Sequence, residues 1–274
     1  MNFLRAALAA GLLAGALAAH AGANVAFVAD IHGNATIEGD GMLAFLAELA
    51  PGTRLYLGSG ATVCVTYAAT GAEYTAVGPG EYLVTPTELK QEKGAAPTRR
   101  TVTSLPDPGV VTRVSQAATA SLRMRGVAAP AAGATLQYPV DTRVASLQPP
   151  LRWQALPGEA VTVTVRDEQG REVWKGMPST PSEARPGVKL SPDTRYTWTL
   201  MTPRGPVAEA RFETLPAGAL ARAEKSRTGA KRFSERVMHA LLLQELGAAQ
   251  DARAAWAALA RERPDLPELA ALAR

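Results

Sequence analysis

Two stretches of short alternating segments, each broken every few residues by glycine or proline, limit most of this chain to small β-units. In the first, Asn24 to Thr85, Val25, Phe27, Ala29 and Ile31 share one parity, and runs at Arg54–Leu57, Thr62–Tyr67, Tyr74–Val77 and Tyr82–Val84 follow. Apolar side chains on alternate positions fill one face of a strand. Gly58-Ser59-Gly60, Thr70-Gly71 and Gly78-Pro79-Gly80 supply the corners, as do 24 glycines and 20 prolines chain-wide. The second stretch, Leu136 to Thr214, offers Trp153 as an early core residue, a strict alternation at Val161–Val165 and a turn at Asp167–Gly170.

Ahead of the first unit, Arg5 leads into the apolar run Ala6–Ala18 and the small-residue site Ala19-His20-Ala21. That layout predicts a secretory signal peptide over 1–21, a mature start at Gly22 and a periplasmic address. The run is shorter than the roughly 20 residues a spanning helix needs, and no cysteine follows the cleavage site to carry a lipid, so no membrane insertion is expected. The lone Cys64 cannot form an internal disulfide, so each unit must bury a core of its own. In a strand, Cys64 faces opposite Val63, Val65 and Tyr67, which leaves a buried inert thiol or a reactive one.

Charge is concentrated between Thr87 and Ala134. Lys90, Lys93, Arg99, Arg100, Arg113, Arg123 and Arg125 stand there against Glu88, Glu92 and Asp107, while the formal charge of the whole chain is +4. With no aromatic residue, 87–134 reads as a basic flexible connector, with Ala120–Gly126 able to add an edge strand. Arg99, Arg100, Arg123 and Arg125 are its candidate contacts to acidic envelope polymers. Nucleic acid is excluded by compartment and by the lack of base-stacking side chains.

Three resemblances follow from particular residues. The order Leu46–Leu55, Gly60-Ala61-Thr62-Val63, Gly71-Ala72-Glu73-Tyr74 and Gly78–Tyr82 resembles a FecR-like domain, placed here over 22–86. That resemblance implies a periplasmic β-module of envelope sensors, without the transmembrane segment that sensor members use to signal. Leu190-Ser191-Pro192-Asp193-Thr194-Arg195-Tyr196 resembles the corner of fibronectin type III domains, over 135–216, with Leu190, Pro192, Thr194 and Tyr196 as its structural residues. Within 217–274 the period changes to helical: Val237 to Leu246 suits one helix, Gly247 breaks it, and Ala252 to Ala260 suits a second, closed by Pro264. Ala252, Trp256, Leu259 and Pro264 resemble half of a tetratricopeptide repeat, which makes Trp256 a candidate interaction residue. A lone hairpin needs a neighbour, so it docks on a β-unit or caps a partner.

Chemistry-bearing groups are sparse. Asp30-x-His32 lacks a third metal ligand, His239 lies among alanines and leucines, and Ser59 and Cys64 have no histidine nearby in sequence. No nucleophile elbow, Cys-x-x-Cys pair or phosphate loop occurs. The fold expected is mostly β, a FecR-like β-domain plus a fibronectin type III-like sandwich with a C-terminal α-helical hairpin. The function expected is a non-enzymatic periplasmic interaction protein in envelope sensing or assembly, the soluble partner of a membrane component, with no cofactor. The alternative is a peptidoglycan or polysaccharide binder stacking sugars on Tyr56, Tyr67, Tyr74 and Tyr82.

Overall fold

A computed structural model describes residues 24–38, 41–102, 106, 110–116, 136–156, 158–178 and 180–274. Four β-sheets occupy the N-terminal part and four helices close the chain. The leader expected over 1–21 lies outside the described residues, and so does the strand expected at 120–126.

The first module packs two five-stranded sheets around one core. Strands β1 (Ala26–His32), β4 (Glu48–Leu49), β6 (Thr62–Tyr67), β7 (Ala72–Val77) and β10 (Thr98–Thr101) form one sheet in the order β10-β7-β6-β1-β4. The other runs β3-β2-β5-β8-β9, from β2 (Ala35–Ile37), β3 (Gly41–Met42), β5 (Arg54–Leu57), β8 (Gly80–Val84) and β9 (Leu89–Lys93). Thus 89–93 and 98–101, inside the stretch read as a connector, are edge strands, and Val110, Val111 and Val114 of the helical residues 110–116 are buried in the same core. Phe27, Val28, Ala29 and Ile31 of β1 are all buried, so both faces of this strand are covered.

The second module pairs a three-stranded sheet, β11 (Leu136–Tyr138), β13 (Leu151–Trp153) and β16 (Glu183–Ala184), with a five-stranded one ordered β12-β18-β17-β14-β15. The latter comprises β12 (Thr142–Val144), β14 (Thr162–Asp167), β15 (Glu172–Gly176), β17 (Arg195–Thr202) and β18 (Gly205–Thr214). Trp153 and Trp198 meet in its core with ring centroids 6.4 Å apart. At the corner before β17, Leu190 is buried, the Tyr196 hydroxyl accepts the Ser191 N–H at 2.9 Å, and the Thr194 hydroxyl donates to the Pro192 carbonyl. The Tyr196 ring stacks on Phe212 at 5.5 Å.

The C-terminal region is four helices where a hairpin was expected: α1 (Ala217–Gly229), α2 (Phe233–Glu245), α3 (Ala249–Glu262) and α4 (Pro267–Leu272). The expected hairpin is α2 and α3, joined through Gly247 at φ 77°, a left-handed conformation that glycine adopts without a Cβ penalty. Val237, Met238, Leu241, Trp256, Leu259 and Leu269 belong to the core of the first module, whereas Leu243, Ala248 and Ala252 form a smaller cluster with Leu215 and Ala223, flanked by Ala145 of the second. No helix among the described residues is long and apolar enough to cross a membrane.

Candidate functional site

Two arginines clasp the helices to the first module. Arg263, 8% exposed, donates to Asp30 at 2.5 Å, to the Ile31 carbonyl at 2.6 Å and to Asp265 at 2.7 Å, and it lies over the Phe233 ring at 5.2 Å. Its Nη1 is also 2.9 Å from His32 Nε2. Asp30 and His32, which sequence raised as an incomplete metal pair, are therefore engaged with an arginine, and among the described residues no group of three metal-ligating side chains forms. Arg100 bridges from β10, donating to Glu73, to Glu235 at 2.7 Å and to the Ser234 hydroxyl at 2.8 Å. Burial pushes the Glu235 carboxyl upward, but the Arg232 and Lys231 N–H groups and Arg100 outweigh it and hold the group below the usual carboxylate range.

Beneath this clasp lies Cys64, buried between the sheet and the start of α2. Burial first, and then the nearby Glu73 carboxylate, push its thiol pKa well above the ordinary value. A thiol held neutral there is a poor nucleophile.

On the other side, α3 holds the second module. The Asp251 carboxylate accepts the Tyr138 hydroxyl at 2.6 Å and the Ala145 N–H at 2.8 Å, and burial raises its pKa. Gln250 accepts from Val140 N–H and donates to the Gln137 carbonyl. A cavity of about 300 Å³ remains at this junction, lined by Tyr138, Arg152, Glu224, Arg227, His239 and Asp251 among others.

A cleft of about 960 Å³ opens on the outer face of the second module's five-stranded sheet, with Gly247 and Ala249 of the α2–α3 turn at its side. Because Tyr196 and Trp198 point inward, Arg195 and Thr197 point out, and cross-strand register assembles rows of polar side chains from them. One row sets Arg195 and Arg143 opposite Glu213, which both approach, at 3.5 and 3.3 Å. The next sets Thr197 between Arg166 on β14 and Arg211 on β18. A third sets Glu209, Thr199, Thr164 and Lys175 side by side. Among the described residues, neither Arg166 nor Arg211 has a side-chain hydrogen bond or ion pair.

The residues singled out in sequence sit elsewhere. Trp256 is fully buried, with its indole N–H donating to Gln244 at 3.1 Å, so its ring packs the core and offers no surface to a partner. Arg100 is spent on the clasp, Arg99 is exposed on β10, and Arg123 and Arg125 lie outside the described residues. Of the tyrosines considered for stacking, Tyr67, Tyr74 and Tyr82 are buried, which removes that platform. The arginine cleft went unread because Arg143, Arg166, Arg195 and Arg211 sit on four different strands; the only available signal was their outward parity. No protein family matches this chain, and a comparison with curated proteins finds no match.

Proposed function

We propose that this chain is a non-enzymatic interaction protein of the cell envelope, exported to the periplasm by its leader, and that it serves as the soluble partner of a membrane component. In this reading the first module is FecR-like, the second is a fibronectin type III-like sandwich, and the helices fix the angle between them. The cleft over Thr197 carries the proposal, since an open, polar, arginine-rich concavity suits recognition, and arginine is enriched at the energetic centres of interfaces. The clasps support it by giving that cleft a rigid mounting on the first module. The chemistry of the other clusters agrees: Cys64 is buried and each clasp carboxylate already accepts a hydrogen bond from an arginine.

A photo-crosslinking amino acid at position 197, compared with one at exposed Gln91 on β9, tests the reading in intact cells. Adducts specific to position 197 and containing a defined envelope protein are expected. Identical patterns from both positions, or none from 197, would remove the cleft as the working face.

A further inference from the structure

Arg166 and Arg211 flank Thr197 on neighbouring strands, so their Cα atoms stand about 10 Å apart, two strand spacings, and both side chains leave the same face. At that separation two flexible side chains can converge over the threonine. Each guanidinium carries a planar fork of donors suited to a carboxylate, and neither fork is used within the described residues. Their neighbours differ: Arg143 and Arg195 already share Glu213. The floor beneath is the face of central strands whose backbone groups are consumed by the ladders, so a visitor finds side chains there and no free sheet edge.

Charge around the pair alternates in sign. Glu168 and Glu209 line the same cleft, so a uniformly anionic polymer would meet repulsion beside the arginines, whereas a carboxylate flanked by cations would be matched at every point. The two aromatic residues at the cleft, Tyr196 and Phe212, are 3% exposed, which leaves no ring on which a sugar could stack. From this we infer that the row Arg166, Thr197, Arg211 binds the carboxylate side chain of a protein partner, presented by a segment in which lysine or arginine flanks a central glutamate or aspartate. This rests on the cleft being the working face, as proposed above, and names the chemistry of what docks there.

The test uses the chain from residue 22 onward and nuclear magnetic resonance titration of its backbone amides. The probes are a peptide with a central glutamate pair flanked by lysines, its charge-swapped counterpart, and hexagalacturonate. The first peptide should shift the amides of Arg166, Thr197 and Arg211 and bind about tenfold more weakly to Arg166→Gln or Arg211→Gln, one decade corresponding to loss of one guanidinium contact. Both variants should melt with the wild type, because the two side chains hold no partner among the described residues. The double variant Arg166→Glu, Arg211→Glu should lose the first peptide and gain the charge-swapped one, a reversal that a merely structural role cannot produce. Equal binding of the two peptides by the wild type, tighter binding of hexagalacturonate than of the first peptide, or no shifts at millimolar peptide would each overturn the inference. Should the peptide fail while crosslinks from position 197 persist, only the assigned chemistry falls; loss of those crosslinks removes the working face itself.

Discussion

Arg263 ties the end of the helical region to the first β-module through a single side chain. It is almost fully buried, it satisfies Asp30, Asp265 and a main-chain carbonyl, and it joins the end of α3 to β1 across the whole length of the sequence. Removing one partner from a buried ion pair strands the other, which costs roughly 3 kcal/mol or more. Arg263→Met is therefore expected to lower stability in urea by about 3 kcal/mol, and a loss below about 1 kcal/mol would show that Asp30 rehydrates freely. His239 provides a pH-dependent counterpart. Burial lowers its pKa, nearby Arg227 lowers it further, and Glu224 partly opposes them, with Arg152, Asp251 and Tyr138 lining the same cavity. The unfolded chain then takes up the proton first, so this contribution is full above about pH 6.5 and is lost as pH falls through the folded value. Asp251, with its pKa raised, has the opposite sign: its contribution is largest in acid and fades as pH rises through its folded value. His239→Leu should consequently gain on the wild type between pH 7 and pH 5, read by urea titration at both; a constant difference would mean that His239 does not titrate in this window.

Elements differed in how far the sequence exposed them, and the reason is what each strand buries. Strands β5 to β8 were legible because their alternation fills a core, and the α2–α3 pair because its helical period breaks at Gly247. Strands β9 and β10 were not, since edge strands bury little: of Leu89–Lys93 only Leu89 is buried, and of Thr98–Thr101 only Arg100 is even partly covered. Cys64 shows a related blind spot. Its parity placed it on the far face of β6, yet the lid over that face comes from Phe233 and Ser234, some 170 residues on, which no local pattern announces. The turns carry constraints of their own. A Cβ on Gly78 would stand 2.0 Å from the Gly58 carbonyl oxygen, with the Gly78 N–H already bonded to Ala61, so neither turn has room to retreat. Gly78→Ala should cost about 3 kcal/mol, at the upper end for overpacking, whereas Gly60→Ala, with nothing within 4 Å, should register only the strain of φ 75°. Comparable melting temperatures for the two variants would contradict this account of the packed turns.

For the whole molecule, the decisive asymmetry is that the two β-modules own their cores to different degrees. The second module's core is built wholly from residues 136–212, with Trp153, Trp198, Leu151 and Phe212 supplied by its own two sheets. In the first module the core runs on without a break into α2, α3 and α4, through Val237, Leu241, Trp256 and Leu269. Removing the helices would bare that face, strand Asp30, whose partner Arg263 follows α3, and take Glu235 and Ser234 away from Arg100. A large apolar side chain left exposed forfeits about 1.5–3 kcal/mol, so losing several is comparable with the roughly 5–15 kcal/mol that a domain of this size possesses in all. A fragment of residues 136–215 should therefore melt cooperatively by itself, at a somewhat lower temperature for want of the Asp251 bonds to Tyr138 and Ala145. A fragment of residues 24–116 should show no cooperative transition and should bind a hydrophobic dye. If the longer N-terminal fragment melts cooperatively within a few degrees of the full chain, the helices are an accessory. If it does not, the C-terminal region is the structural half of the first module, and the helix turn beside the arginine cleft is held in place by the module at the opposite end of the chain.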